Sequence, residues 1–218
     1  MKKQLFLSNK VEVSFFLLLF VSLSFMVKVQ LFTSFDSEVF TIIQEYKTPQ
    51  IDDFFTFITK FSSTSSAIVI FTFISVILYK RKDLKELLFA LFFFVSAAGG
   101  AYILKYIFVI PRPLSGIDGL SGYSYPSGHS VLALCLSLLM YRLVLSSIKN
   151  RMISNICIML LLIYAIVSIS ARVILGAHWF SDTLGSIVFV FFIYHLILEI
   201  MMKLPIYEKL IKMVENDK

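Results

Sequence analysis

Charge is scarce in this chain. Asp, Glu, Lys and Arg make up 16% of its 218 residues, where a soluble domain averages about 25%. No polar stretch between the apolar runs is long enough to fold by itself in water, which excludes a separate soluble domain. Cysteine is nearly missing. Cys135 and Cys157 fall inside apolar runs, where a thiol behaves as a small apolar group, and no CxxC or other ligand spacing joins them. The net charge is +6, but the cations are scattered through short loops instead of one patch, so nucleic acid is not indicated as a partner. Glycine and proline number only 8 and 5. Yet Gly116, Gly119, Gly122 and Gly128 crowd into residues 111–128 with Pro111, Pro113 and Pro126. That segment reads as a turn-rich loop able to bring backbone N–H groups close to a ligand.

What the chain has in quantity is hydrocarbon: 58% hydrophobic residues, 23 phenylalanines and a mean hydropathy of +0.87. Six apolar runs lie at about 12–32, 62–79, 85–108, 129–148, 153–172 and 178–202. Each approaches the ~20 residues a helix needs to cross ~30 Å of hydrocarbon, the second being the shortest. The expected fold is all-α, a single membrane-embedded domain over 1–218 built as a polytopic bundle of six transmembrane helices. The first run follows Lys2, Lys3 and Lys10, is long, and has no small-x-small cleavage site after it, so it reads as an uncleaved signal anchor.

Lysine and arginine set the orientation. Of 20, 14 lie in the N-terminus, the second loop (Lys80, Arg81, Lys82, Lys85), the fourth loop (Arg142, Lys149, Arg151) and the C-terminus. By the positive-inside rule both termini are expected in the cytoplasm of a multi-pass cell-membrane protein. In the first outer loop, residues 33–61, Phe54, Phe55, Ile58 and Phe61 recur at helical spacing. A short interfacial helix is expected there, with a core-packing turn into the second run as the alternative. Ala97-Ala98-Gly99-Gly100 reads as a helix-packing notch.

Three short blocks at the outer ends of the runs carry chemistry. Lys105 stands in an otherwise uncharged stretch, and Arg112 follows seven residues later, on roughly the same helix face, before Pro113. Alone, Lys105 is equally read as a snorkelling side chain; two stacked cations call for an anion. Pro126-Ser127-Gly128-His129 opens the fourth run, where unpaired N–H groups favour a phosphate. Ser127 is expected as N-cap and phosphate donor, and His129 is placed to protonate a leaving oxygen. Arg172 closes the fifth run, and His178 and Asp182 open the sixth at i, i+4. Asp182 can then hold His178 Nδ1–H and leave Nε2 as a nucleophile, although such a pair also occurs with no chemistry. Trp179 beside them reads as an interfacial belt residue. The remaining histidine, His195, is expected near the cytoplasmic end with a structural role, Lys28 as a surface anchor, and Asp118 as solvated loop.

In order, the blocks resemble the type-2 phosphatidic acid phosphatase superfamily of membrane lipid phosphatases, which shares its site with vanadium haloperoxidases. The family pattern is Lys-x6-Arg-Pro, Pro-Ser-Gly-His and Ser-Arg-x5-His-x3-Asp. This chain carries Lys105/Arg112/Pro113, Pro126/Ser127/Gly128/His129 and Arg172/His178/Asp182, with Ala171 where the third block has Ser. The Thr48-Pro49-Gln50-Ile51-Asp52 segment is also similar. The resemblance implies a double displacement. Phosphate is held by Lys105, Arg112, Ser127, the Gly128 backbone and Arg172. His178 becomes a phosphohistidine supported by Asp182, and His129 acts as acid and then base.

Only Asp118 and Asp182 lie near the blocks, too few carboxylates for a Mg²⁺ site, so no metal and no other cofactor is expected. The expected partner is a lipid phosphate in the bilayer: undecaprenyl pyrophosphate, placed first by analogy with carrier-lipid recycling, phosphatidylglycerol phosphate, phosphatidic acid or diacylglycerol pyrophosphate. A lipid phosphotransferase using the same site is the alternative. An anionic-lipid transporter is disfavoured, because no internal repeat is seen and the cations gather at one end of the spans. Oligomeric state has no signature in the sequence.

Overall fold

The computed structural model describes residues 10–113 and 122–204. The helices are α1 (Lys10–Lys28), α2 (Thr33–Glu45), α3 (Pro49–Lys60), α4 (Thr64–Lys80), α5 (Leu84–Phe108), α6 (Gly128–Ser147), α7 (Arg151–Ile174) and α8 (Phe180–Lys203). No strand occurs among the described residues. Five of the helices, α1, α5, α6, α7 and α8, are each long and apolar enough to cross a membrane. The 17-residue α4 passes that test only together with α3, from which it departs at a 42° bend. The chain is an all-helical, multi-pass membrane bundle, with α4 as the short second run.

Polar side chains at the loop boundaries start most helices. Ser63, Asp83, Ser127 and Asn150 each accept a first-turn backbone N–H, which water would otherwise have to satisfy. Residues 33–61 form two helices where one was expected. The break falls before Pro49, whose ring cannot continue the preceding turn, and Thr48 caps the new helix by accepting from Ile51 N at 3.4 Å.

Burial identifies the centre. Half of the apolar window of α6 is buried, against 17% for α1 and α7, whose apolar surface is mostly exposed. α6 packs on α4, α5, α7 and α8, while α1 lies along α8. The small-residue notch is real at Gly100, where a Cβ would meet the Phe189 ring at 2.7 Å, and is not required at Gly99. Gly185 of α8 likewise admits the Tyr125 ring, which a Cβ there would strike.

Arg142 is not a loop residue, as the charge pattern suggested. It lies inside α6, buried, and forms a two-pronged pair with Glu86 of α5: Nη2 to Oε1 at 2.7 Å and Nε to Oε2 at 2.9 Å. Its Nη1 donates to Tyr194 of α8 at 2.9 Å, and the guanidinium lies 4.1 Å over the Phe89 ring. Desolvated charges survive in such a place only when each is fully paired, and here the pair ties three helices together at the end remote from the histidine blocks. His195 lies 2.9 Å from Glu12 of α1 and stacks on Phe16, also away from the blocks.

Candidate active site

The first block is shaped by an abrupt helix end. α5 stops at Phe108, because Val109 adopts a left-handed conformation (φ 54°, ψ 44°). A β-branched residue there costs on the order of 1–3 kcal/mol. Lys28 offsets part of it by donating from Nζ to Phe108 O at 2.6 Å, so this lysine caps α5. Arg112 therefore does not share a helix face with Lys105, as their spacing suggested. The two meet because the chain doubles back: Lys105 Nζ donates to Tyr123 O (2.7 Å) and Ser124 O (3.1 Å), and Arg112 Nε to Gly122 O (3.2 Å). Gly122 has φ +77°, a turn conformation that suits glycine.

The second block forms the start of α6. Ser127 is fully buried and acts as the N-cap, accepting from Ser130 N at 3.4 Å and Ser130 Oγ at 2.9 Å. Its own N–H donates to Ser186 Oγ of α8 at 2.9 Å, and Ser186 Oγ donates to Asp182 O at 2.7 Å, so the second and third blocks are laced together. Gly128 and His129 follow on the open side. Gly116, Asp118 and Gly119, and with them residues 114–121 of the expected ligand loop, lie outside the described residues, as do Lys2, Lys3 and the lysines after residue 204.

The third block is a tight turn. Arg172 O accepts from Ala177 N and His178 N, both at 3.1 Å, so the last turn of α7 itself positions the histidine. His178 precedes α8 instead of belonging to it, and Asp182 reaches back from the first turn. Asp182 Oδ2 accepts from His178 Nδ1 (3.2 Å) and Trp179 N (2.9 Å), and Oδ1 from Ser124 Oγ (3.3 Å). The other ring nitrogen, Nε2, lies 3.0 Å from Arg112 Nη1, which also donates to Ala177 O at 2.7 Å. A guanidinium has only donors, so Nε2 must be the acceptor and the ring is neutral. Electrostatics agree: burial first, then the charges of Arg172, Arg112 and Lys105, hold the His178 pKa well below the ordinary histidine value.

Lys105, Arg112, Gly128, His129 and His178 line one cavity of about 410 Å³. Its other walls are Thr64 and Ile68 of α4, Phe94, Ala98, Ala101 and Tyr102 of α5, and Val131 and Leu132 of α6. One end is thus cationic and the rest is mainly apolar. Ile68 and Tyr102 are exposed on the bundle surface, which opens the apolar part sideways. Arg172 is buried behind the histidine, and its Nε has no hydrogen-bond partner. A second, apolar cavity of about 340 Å³, bounded by Ile58, Leu136 and Leu161 among others, carries none of the three blocks. Among the described residues no three His, Cys, Asp or Glu side chains gather as a metal-ligating group.

Sequence reasoning did not find the supports. Ser124 Oγ lies within hydrogen-bond reach of Asp182 Oδ1 and of the Ile110 and Pro111 carbonyls, which share its single proton, and Trp179 Nε1 donates to Pro111 O at 2.8 Å. Tyr125 OH pairs with Ser24 Oγ of α1 at 2.8 Å. None of these contacts has a sequence spacing that announces it.

This is a membrane bundle with a cationic, histidine-bearing pocket at one end. The chain belongs to the PAP2 superfamily: residues 88–205, which hold all three blocks, match that family's model. Among solved structures it is similar in fold to a transmembrane PAP2-type phosphatidylglycerolphosphate phosphatase from Bacillus subtilis, with a TM-score of 0.78 and 21% identity over 88% of this chain and 97% of that one. No curated protein sequence matches the chain.

Proposed function

We propose that this protein is a lipid phosphatase that removes phosphate from a membrane lipid through a phosphohistidine at His178. One observation carries the reading: the two histidines and two of the cations line the polar end of a cavity whose remaining walls are apolar and open toward lipid. That shape fits a phosphate on a hydrocarbon chain better than a soluble ester. The charge balance fits too. Lys105, Arg112 and Arg172 against Asp182 leave a net +2 beside neutral histidines, and a phosphate monoester carries about −1.5 to −2 near neutral pH.

In this reading Lys105, Arg112, Arg172, Ser127 and the Gly128 N–H hold the phosphate oxygens. Arg112 transfers its Nη1 donor from His178 Nε2 to the phosphate, which frees the ring lone pair. Nε2 attacks phosphorus, the P–O bond to the lipid breaks, and His129, which takes up the proton of the bound phosphate monoanion, gives it to the departing oxygen. Asp182 keeps Nδ1–H and stabilises the cationic phosphohistidine. Water then attacks phosphorus, His129 takes its proton, the P–N bond breaks, and phosphate leaves with His178 neutral again. Three fixed cations supply the charge stabilisation that phosphoryl transfer requires, so no metal is needed. The lysine and arginine bias supports a topology with both termini in the cytoplasm and the site on the outer face.

The test is phosphate release from undecaprenyl pyrophosphate, phosphatidylglycerol phosphate, phosphatidic acid and diacylglycerol pyrophosphate, in EDTA, by wild type and His178→Ala. Release from at least one lipid by wild type alone is expected. Absolute dependence on added Mg²⁺ would overturn the cation mechanism. Transfer of phosphate to an acceptor alcohol in place of release would assign the phosphotransferase reading.

A further inference from the structure

Four residues of α2 fall against the turn that carries His178. Asp36, Phe40 and Gln44 recur every fourth residue and so share one face, and Phe35 stands beside them. Asp36 Oδ1 accepts from Ser181 N at 2.9 Å, and Oδ2 from Ser181 Oγ at 2.5 Å. Gln44 Nε2 donates to Ile174 O at 3.3 Å. Phe40 lies against Trp179 (ring centroids 5.9 Å) and Phe35 against Phe180 (5.6 Å). Ile174 ends α7 and Ser181 sits in the first turn of α8, so α2 bridges both sides of the five-residue turn 175–179.

We infer that Asp36 is a positioning residue for the His178–Asp182 pair, and that α2 is the strap that holds the turn in register. The inference rests on the phosphohistidine reading above. Asp36 bonds Ser181, which does not line the cavity, and its carboxylate is buried. Its effect passes through the first turn of α8. That turn presents unpaired N–H groups, and Asp182 is needed there twice, for Trp179 N and for His178 Nδ1. Because Asp36 takes the Ser181 amide and hydroxyl, Asp182 has no competing donor from the next residue, and both its Oδ2 contacts point toward the turn. Without Asp36 a buried amide and hydroxyl lose their acceptor, and the first turn must shift or recruit Asp182. Either change moves Nδ1–H of His178 off its partner and misaims Nε2. The phosphate-binding cations come from α5, the loop after it and the end of α7, so they remain.

The test is steady-state hydrolysis of a detergent-dispersed lipid phosphate by Asp36→Ala, Asp36→Asn, Ser181→Ala, the Asp36→Ala/Ser181→Ala double variant and His178→Ala. Misplacing a reacting atom by about 1 Å costs on the order of 100-fold, so Asp36→Ala and Ser181→Ala are expected to lower kcat about 10–100-fold with KM within about threefold. The double variant is expected to be no worse than the worse single one, because the two act as one contact. Asp36→Asn still offers an acceptor to Ser181 N and is expected to stay within about fivefold of wild type. Wild-type kcat in Asp36→Ala, losses that multiply in the double variant, or a loss confined to KM would each overturn the assignment. Should Asp36→Ala not survive purification, Ser181→Ala alone carries the test, through its loss in kcat with KM held. Turnover retained in His178→Ala sinks the phosphohistidine reading instead, and leaves the two failures distinguishable.

Discussion

Arg112 Nη1 lies 3.0 Å from His178 Nε2, so the ring nitrogen proposed to attack phosphorus is capped by a cation. That contact fixes the protonation state: Nδ1 carries the proton toward Asp182, and Nε2 carries the lone pair. Burial and three neighbouring cations act in the same direction, lowering the pKa from the ordinary value of about 6.5. Nitrogen-detected NMR of histidine-labelled protein at pH 6.5 should show His178 as the neutral Nδ1–H tautomer. An imidazolium signal there would contradict the geometry. The linkage sign follows: the unfolded chain binds this proton below about 6.5 and the folded one does not, so His178 lowers stability as pH falls through that value.

Replacing that guanidinium tests its double duty. Arg112 reaches Gly122 O, Ala177 O and His178 Nε2 from three different nitrogens or hydrogens of one plane, which a lysine cannot reproduce. Arg112→Lys should lower kcat/KM for a lipid phosphate by about 100-fold, the loss typical of one transition-state donor. Activity within a few-fold of wild type would show that charge alone suffices.

The apolar wall predicts a split between substrates. Ala98 lines the cavity from α5, well down the helix from Lys105. Ala98→Phe should raise KM for long-chain lipid phosphates about tenfold or more, since it displaces hydrocarbon contacts, yet leave hydrolysis of a short soluble phosphate ester unchanged. Equal effects on both would remove the wall as the tail site.

Stability should depend on the buried pair at the opposite end. Glu86→Ala leaves Arg142 charged among Phe89, Tyr194 and the helices of the core, and breaking such a pair typically costs about 3–5 kcal/mol. Thermal unfolding in detergent should fall accordingly, with kcat of the surviving fraction intact.

The spans were readable because a bilayer demands long apolar runs and tolerates little else. Five stand as single helices near the expected boundaries, and the shortest run is the one that needs its bent neighbour. The blocks were readable because charges and imidazoles are rare in such a chain. How they come together was not. Lys105 and Arg112 meet through a left-handed Val109 and a reversed loop, not a common helix face, and His178 reaches Asp182 from outside α8. Arg142 looked like a loop cation because sequence gives its charge but not its partner 56 residues away. Asp36 and Ser181, 145 residues apart, left no pattern at all. Tertiary hydrogen bonds of single polar groups have no period, and periodicity is what a sequence displays.

The central claim is a covalent bond between His178 Nε2 and phosphorus. Mixing the protein with a lipid carrying radiolabelled phosphate, and quenching within a turnover, should leave an alkali-stable, acid-labile label on the wild type. The label should be missing from His178→Ala and persist longer in His129→Ala, which forms it slowly and hydrolyses it more slowly still. A wild type that turns over without any such label, or a His178→Ala variant that retains it, would contradict phosphohistidine chemistry at this residue.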